Sequence, residues 1–83
     1  MYATEIASNL LITDTATDYT TLPTGEVTID LADEGRIVIG DDADGLTWTR
    51  YGADGTEIGT DGVEDSGQVT AENVLDILGL NHA

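Results

Sequence analysis

Residues 26–60 read EVTIDLADEGRIVIGDDADGLTWTRYGADGTEIGT. Apolar and polar residues alternate in this stretch, and three acidic, glycine-containing segments interrupt the alternation. A period of two residues is typical of strands that bury one face, and Asp-Gly segments are typical of hairpin turns. The stretch therefore predicts an antiparallel meander, with four strands at 26–32, 36–40, 46–51 and 56–60.

The predicted strands separate into an apolar face and a polar face. The apolar face, expected to form the core, carries Val27, Ile29, Leu31, Ile37, Ile39, Leu46, Trp48 and Ile58. The polar face, expected to meet solvent or a partner, carries Thr28, Asp30, Thr47, Thr49 and Tyr51. An antiparallel sheet with this pattern needs a second layer on one side only.

Two helices are predicted to supply that second layer. Residues Ala3–Ile12 place apolar side chains at helical spacing, and residues 71–78 do the same after Thr70, a candidate N-cap. Gly79 suits the position after the second helix, and Leu80 is expected to fold back on its last turn. Residues 13–25, rich in Thr and Asp, predict a loop with a short extended piece near 19–22.

These elements define the expected fold class. The 83 residues predict a single small α+β domain, a two-layer sandwich in which a four-stranded antiparallel meander is flanked by an N-terminal and a C-terminal helix. The element order is α-β-β-β-β-α. No internal repeat is apparent, because the recurring Asp-Gly segments reflect turn chemistry alone.

Charge is the most unusual property of the sequence. Seventeen Asp and Glu residues face two arginines, and the formal net charge is -15. Such a field repels nucleic acid and anionic membranes and attracts basic protein surfaces. Crowded carboxylates are also expected to have raised pKa values.

Several function classes lack the residues they need. The chain has no cysteine, which excludes disulfides and thiolate sites. No apolar run approaches the length of a membrane span and no signal peptide is apparent, so a cytoplasmic location is expected. His82, the single histidine, lies near the chain end, and the carboxylate pairs have no cleft to face in so small a domain. We therefore expect no enzyme activity and no cofactor.

Two local clusters leave alternatives open. Residues 42–45 (DADG) match the middle of a calcium-binding EF-hand loop, but the Glu required at its twelfth position is missing and strands are predicted on both sides. We therefore expect calcium and magnesium to act alike, only at millimolar concentrations, by screening the negative charge of the protein. One alternative is that Trp48, Arg50 and Tyr51 form a surface hot spot for protein binding. The other is that Trp48 anchors the core and Arg50 pairs with a neighbouring carboxylate.

The acidity itself supports two hypotheses. In size and charge, though in no motif, the chain resembles the DNA-mimic proteins with which phages and mobile elements inhibit restriction, CRISPR and other DNA-binding systems. That resemblance implies a non-enzymatic inhibitor that occupies a basic nucleic-acid-binding site on a partner protein. The alternative is a small structural or accessory domain whose charge reflects adaptation to high salt or high-GC coding. Under the first hypothesis, the turn carboxylates are the candidate partner-binding residues: Asp33, Glu34, Asp41, Asp42, Asp44 and Asp54.

Overall fold

The computed structural model describes residues 1–42, 45–63 and 65–80, with Asp42 described by its backbone alone. In chain order the elements are helix α1 (Ala3–Ile12), strands β1 (Ala16–Thr21), β2 (Val27–Leu31), β3 (Arg36–Asp42), β4 (Gly45–Tyr51) and β5 (Glu57–Val63), a 3-10 turn (Ser66–Gln68) and helix α2 (Val74–Ile77). The five strands form one antiparallel sheet in the order β1-β2-β3-β4-β5. The α+β class and the meander are therefore confirmed, but the sheet has five strands where four were predicted.

Strand β1 is the strand that the sequence analysis missed. Its polar composition (ATDYTT) favoured a loop, but it pairs with β2 in a register that places Tyr19 opposite Ile29. Thr and Tyr suit a pleated edge, and β1 has a neighbour on one side only, so one row of backbone groups meets solvent. Ala16 is buried and Tyr19 packs against the core. The prediction of a loop over 13–25 was wrong for 16–18, and the short extended piece predicted near 19–22 is the second half of β1.

Strand β5 differs from its prediction in length and in facing. It extends to Val63, whereas the prediction ended it at Thr60. A bulge against β4 changes the register, so that Arg50 pairs with Gly59 but Tyr51 pairs with Glu57. Ile58 falls at this bulge and is 62% exposed. Its assignment to the core was wrong, because a bulge adds one residue and reverses the facing that simple alternation predicts.

The core lies between α1, the C-terminal segment and one face of the sheet. Apart from Ile58, every strand residue assigned to the apolar face is buried. Helix α1 has the predicted bounds and contacts β1, β2 and β3, and its buried side chains are Ala3, Ile6, Ala7 and Leu10. None of the described helices is both long and apolar enough to span a bilayer.

The C-terminal helix is shorter than predicted. Only Val74–Ile77 is α-helical, and its N-cap is Asn73 where Thr70 was predicted, without a side-chain capping hydrogen bond. Asn73 Oδ1 instead accepts the Thr70 N–H at 2.7 Å. Gly79 has φ of 70°, and the Leu80 N–H donates to the Leu75 carbonyl at 2.8 Å, which closes the predicted C-terminal turn. Leu80 is 5% exposed. Buried side chains, and not a long helix, therefore fix the C-terminal segment against the sheet.

Candidate binding surface

The sheet face opposite α1 carries one charged row that crosses all five strands. Directly opposite residues share a face and stand about 5 Å apart in an antiparallel sheet. The strand registers join neighbours in one such series, which we call the charged row: Asp18, Asp30, Arg36, Tyr51 and Glu57. Three carboxylates, one guanidinium and one phenol thus lie side by side.

The next row on the same face is uncharged. Two residues away on β1 to β4, and three residues away on β5 because of its bulge, the registers align a second series, which we call the threonine row: Thr20, Thr28, Val38, Thr49 and Thr60. The hydroxyls of Thr49 and Thr60 lie 3.2 Å apart. In a chain of net charge -15, this row is an uncharged strip of surface beside the charged row. A protein that contacts the strip does not have to desolvate a charged side chain there.

A groove opens at the end of the sheet where the charged row lies. Its volume is about 710 Å³. The loop between β2 and β3 forms one wall with Ala32, Glu34 and Gly35, and the loop between β4 and β5 forms the other with Gly52, Ala53 and Gly55. The strand residues that line it include Thr28, Asp30, Arg36, Val38 and Tyr51. It joins parts of both rows.

The wall built by the β2–β3 loop is closely packed. A Cβ placed on Gly35 would lie 3.1 Å from the Tyr51 carbonyl oxygen and 3.0 Å from Asp33 Oδ1. A Cβ at this position would have to push its neighbours away by a few tenths of an ångström, so glycine lets the loop approach the end of β4. The loop and the end of β4 are consequently in contact through their backbones at Gly35 and Tyr51, with no side chain between them.

Among the described residues that line the groove, Arg36 is the only cation. Its Nε donates to Asp30 Oδ1 at 3.1 Å, and the two side chains are 58% and 49% exposed. An ion pair this exposed contributes about 0–1 kcal/mol. Glu34, also in the lining, makes the groove negative, and the nearby Asp33 and Asp54 add to that charge.

Two of the candidate carboxylates bind their own loops. Asp33 Oδ1 accepts the Gly35 N–H and Asp54 Oδ1 accepts the Thr56 N–H, both at 3.0 Å. The hydrogen bond from the Thr56 N–H, with one from the Thr56 hydroxyl, favours the ionised form of Asp54 and lowers its pKa. The direction is opposite to the raised values expected from crowding. Both carboxylates remain exposed, so they shape the loops and still present negative charge.

Glu34 has an unusual backbone conformation. Its φ is 73°, in the left-handed region that a residue with a Cβ rarely adopts. The side chain is exposed at the groove wall. Glu34 therefore presents a carboxylate at the groove from a conformation that glycine would adopt at lower cost.

Asp41 lies at the opposite end of β3 from Glu34 and has a structural partner. Its Oδ2 accepts the Ala3 N–H at 2.9 Å, the first backbone donor of α1. Asp42 closes the same end of the hairpin opposite Gly45, and nothing is described of its side chain. Asp44 lies outside the described residues. The candidate partner-binding residues that the structure describes thus divide into Asp33, Glu34 and Asp54 beside the groove and Asp41 and Asp42 at the far end of β3.

The Trp48 and Arg50 side chains face the helix layer. Trp48 is 4% exposed. Arg50 has the same facing on β4, and its Nη1 donates to the Gly79 carbonyl at 3.3 Å. The core-anchor interpretation of Trp48 is confirmed, and the surface hot spot is not present. Arg50 contacts a carbonyl where a carboxylate was expected. Tyr51 faces the other way and lines the groove.

The described residues contain no group of three or more His, Asp or Glu side chains suited to a metal ion. The DADG segment and His82 lie partly or wholly outside that part of the chain, so the calcium interpretation remains a prediction. In the groove itself, the available chemistry is that of carboxylates, hydroxyls, one phenol and one guanidinium. This set binds cations and hydrogen-bond donors through charge and shape.

The charged row was missed by sequence reasoning, although its residues are polar-face positions. The observed pairing of β2 with β3 is centred on Asp33, three residues from both Asp30 and Arg36, whereas the turn predicted at 33–35 is centred one residue later. Tyr51 and Glu57 flank the next turn in a similar way, but the bulge at Ile58 hides that symmetry. Asp18 could not be found, because β1 itself was missed.

Comparison with known proteins gives no family and no relative. No protein-family model, curated protein or solved structure matches this chain.

Proposed function

We propose that this chain is a non-enzymatic acidic binding protein, acting in the cytoplasm, that engages a basic surface on a partner protein. The partner surface is of the kind that nucleic-acid-binding proteins present, and occupying it would inhibit the partner, as a DNA mimic does. One observation carries the proposal. Exposed carboxylates line and flank a groove at one end of the sheet, and the described groove lining supplies a single guanidinium to balance them.

Electrostatics supports this partner class. A net charge of -15 accelerates encounter with a basic surface and disfavours nucleic acid itself and anionic membranes. Glu34 and Asp54 are on loops and outside the core, so they can meet a partner without disturbing the fold. No described group of side chains suggests a reaction.

The proposal is tested by capture and competition. The immobilised protein is exposed to a lysate of its source organism at an ionic strength of about 0.1 M, where screening acts over about 10 Å. The expected result is a basic nucleic-acid-binding protein that duplex DNA releases. If no basic protein is retained, or if duplex DNA does not compete with the retained protein, the proposed function is wrong.

A matched pair of variants locates the interface. Glu34→Gln with Asp54→Asn removes two charges beside the groove. Glu26→Gln with Glu72→Gln removes two exposed charges elsewhere and serves as the control. We expect the groove variant to bind the captured partner more weakly, mainly through slower association, with the control variant close to the parent.

A specific observation favours the alternative of a structural or accessory domain. Several acidic side chains accept backbone N–H groups near them in sequence: Asp18 from Tyr19, Asp33 from Gly35, Asp54 from Thr56, Asp61 from Gly62 and Asp65 from Gly67. Local roles of this kind need no partner. The alternative predicts that the stability of the two double variants depends less on salt than that of the parent, and to the same extent in both. It also predicts that the lysate yields no specific protein.

A further inference from the structure

We propose that the groove beside the charged row is the anchor site for an arginine side chain of the basic partner, whose guanidinium takes the place of Arg36 in front of Asp30. This inference deepens the proposed function and rests on it. It specifies the contact face, the groove residues and the chemical group that is recognised.

The internal ion pair shows that a guanidinium fits this position. Arg36 lies between Asp30 on one neighbouring strand and Tyr51 on the other. It contacts Asp30 through Nε alone, at 3.1 Å, and more than half of its side chain is exposed. An exposed pair with a single contact is weak and exchanges readily. An incoming guanidinium can therefore replace it.

The groove provides more than Asp30 to a second guanidinium. Glu34 stands at one wall, and Tyr51 offers a half-buried aromatic ring at the end of β4. A planar guanidinium donates two parallel hydrogen bonds to a carboxylate and stacks on an aromatic face, whereas an ammonium does neither as well. This combination selects arginine over lysine.

The neighbouring surface suits a protein occupant. The threonine row extends from the groove across the sheet without a charge, so a partner seated on it contacts hydroxyl and methyl groups. Hot spots of protein interfaces are enriched in arginine and are surrounded by contacts that contribute little binding energy but exclude water, a role that uncharged hydroxyl and methyl groups can fill. The charge of the groove is complementary to a basic partner and unfavourable to an acidic one, including a second copy of this chain.

The first experiment uses acetyl-arginine-amide as the probe and acetyl-lysine-amide as its control. The isotope-labelled protein is titrated at low ionic strength and followed by amide chemical shifts. With arginine, we expect shifts concentrated at Gly35, Gly52 and Gly55, which line the groove. The affinity for acetyl-lysine-amide should be about threefold lower than that for acetyl-arginine-amide, a difference on the scale of one exposed ion pair. Equal shifts by both probes, spread over the acidic surface, would overturn the proposal.

Three variants separate a true site from general charge attraction. Asp30→Asn with Glu34→Gln should abolish the localised shifts, and Glu26→Gln with Glu72→Gln, which removes the same charge, should retain them. Arg36→Gln removes the internal competitor while changing the net charge by one. It should strengthen arginine binding about threefold. Weaker binding by the Arg36→Gln variant would show that Arg36 builds the site and does not compete for it, contrary to the proposal.

The two proposals fail in different ways. A captured basic partner that binds the Asp30→Asn/Glu34→Gln variant as tightly as the control variant contradicts the arginine site and leaves the acidic binding function intact. Absence of any basic partner contradicts the function, while the probe titration still reports on the groove itself.

Discussion

Replacing Asp41 with Ala tests whether a candidate interface residue is in fact a structural cap. A helix leaves its first backbone N–H groups without intrahelical acceptors. In α1, Asp41 Oδ2 accepts the Ala3 N–H at 2.9 Å from a strand 38 positions away. Losing an N-terminal cap costs about 1 kcal/mol, and losing a carboxylate near the positive end of the helix dipole costs about 0.3–1 kcal/mol more. The expected total is a loss of about 1–2 kcal/mol of unfolding free energy.

Part of that loss is offset, because removing any carboxylate relieves self-repulsion in so acidic a chain. Glu72→Ala is the matched control: it removes one exposed carboxylate from the turn before α2. Asp41→Asn keeps an acceptor and removes the charge, so it should fall between Asp41→Ala and the control.

Urea unfolding of the three variants, followed by the fluorescence of buried Trp48, measures the differences. In thermal melts, each kcal/mol should shift Tm by about 4–8 °C for a domain of this size. If Asp41→Ala and Glu72→Ala have the same free energy of unfolding, the hydrogen bond to Ala3 contributes nothing and this reasoning is wrong. If the loss is found, Asp41 should be left intact in any variant designed to probe partner binding.

Four further predictions concern backbone strain, core membership, pH and salt. Glu34→Gly should be more stable than Glu34→Ala by about 1 kcal/mol in urea unfolding, because both remove the charge and only glycine relieves the positive φ; equal stability would contradict the strain. Ile58→Thr should change the unfolding free energy by less than about 0.5 kcal/mol, whereas Ile39→Ala should cost about 2–5 kcal/mol; a large loss at Ile58 would place it in the core after all. The pKa of Asp54 in the folded protein is lowered from its ordinary value of 3.8. Ionised Asp54 therefore contributes to the free energy of unfolding above that pH, and this contribution is lost as pH falls through the folded-state pKa. The stability advantage of the parent over Asp54→Asn should accordingly shrink between about pH 6 and about pH 3. Tm should rise with sodium chloride into the molar range as screening relieves repulsion, and a Tm independent of salt would show that the charges are too far apart to interact.

The sequence by itself determined the elements whose periodicity is strong. Helix α1 has the predicted bounds because its apolar residues recur at helical spacing, and Ile29, Ile37 and Leu46 are buried because alternation sets their facing. Composition determined the acidity, and turn chemistry determined that Gly79 ends the C-terminal helix. In each case the signal lies within a few neighbouring residues, which is the range over which sequence patterns carry structural information.

Only the tertiary structure decided the features that depend on partners distant in sequence. Strand β1 exists because β2 offers it a hydrogen-bonding edge, and Ile58 faces solvent because a bulge reverses its side. Asp41 caps a helix that begins at Ala3, a contact no local pattern predicts. The charged row and its groove arise from the registers of five strands together. A shift of one residue in any strand would move its row member to the opposite face, so this surface is a property of the pairing and not of the residues alone.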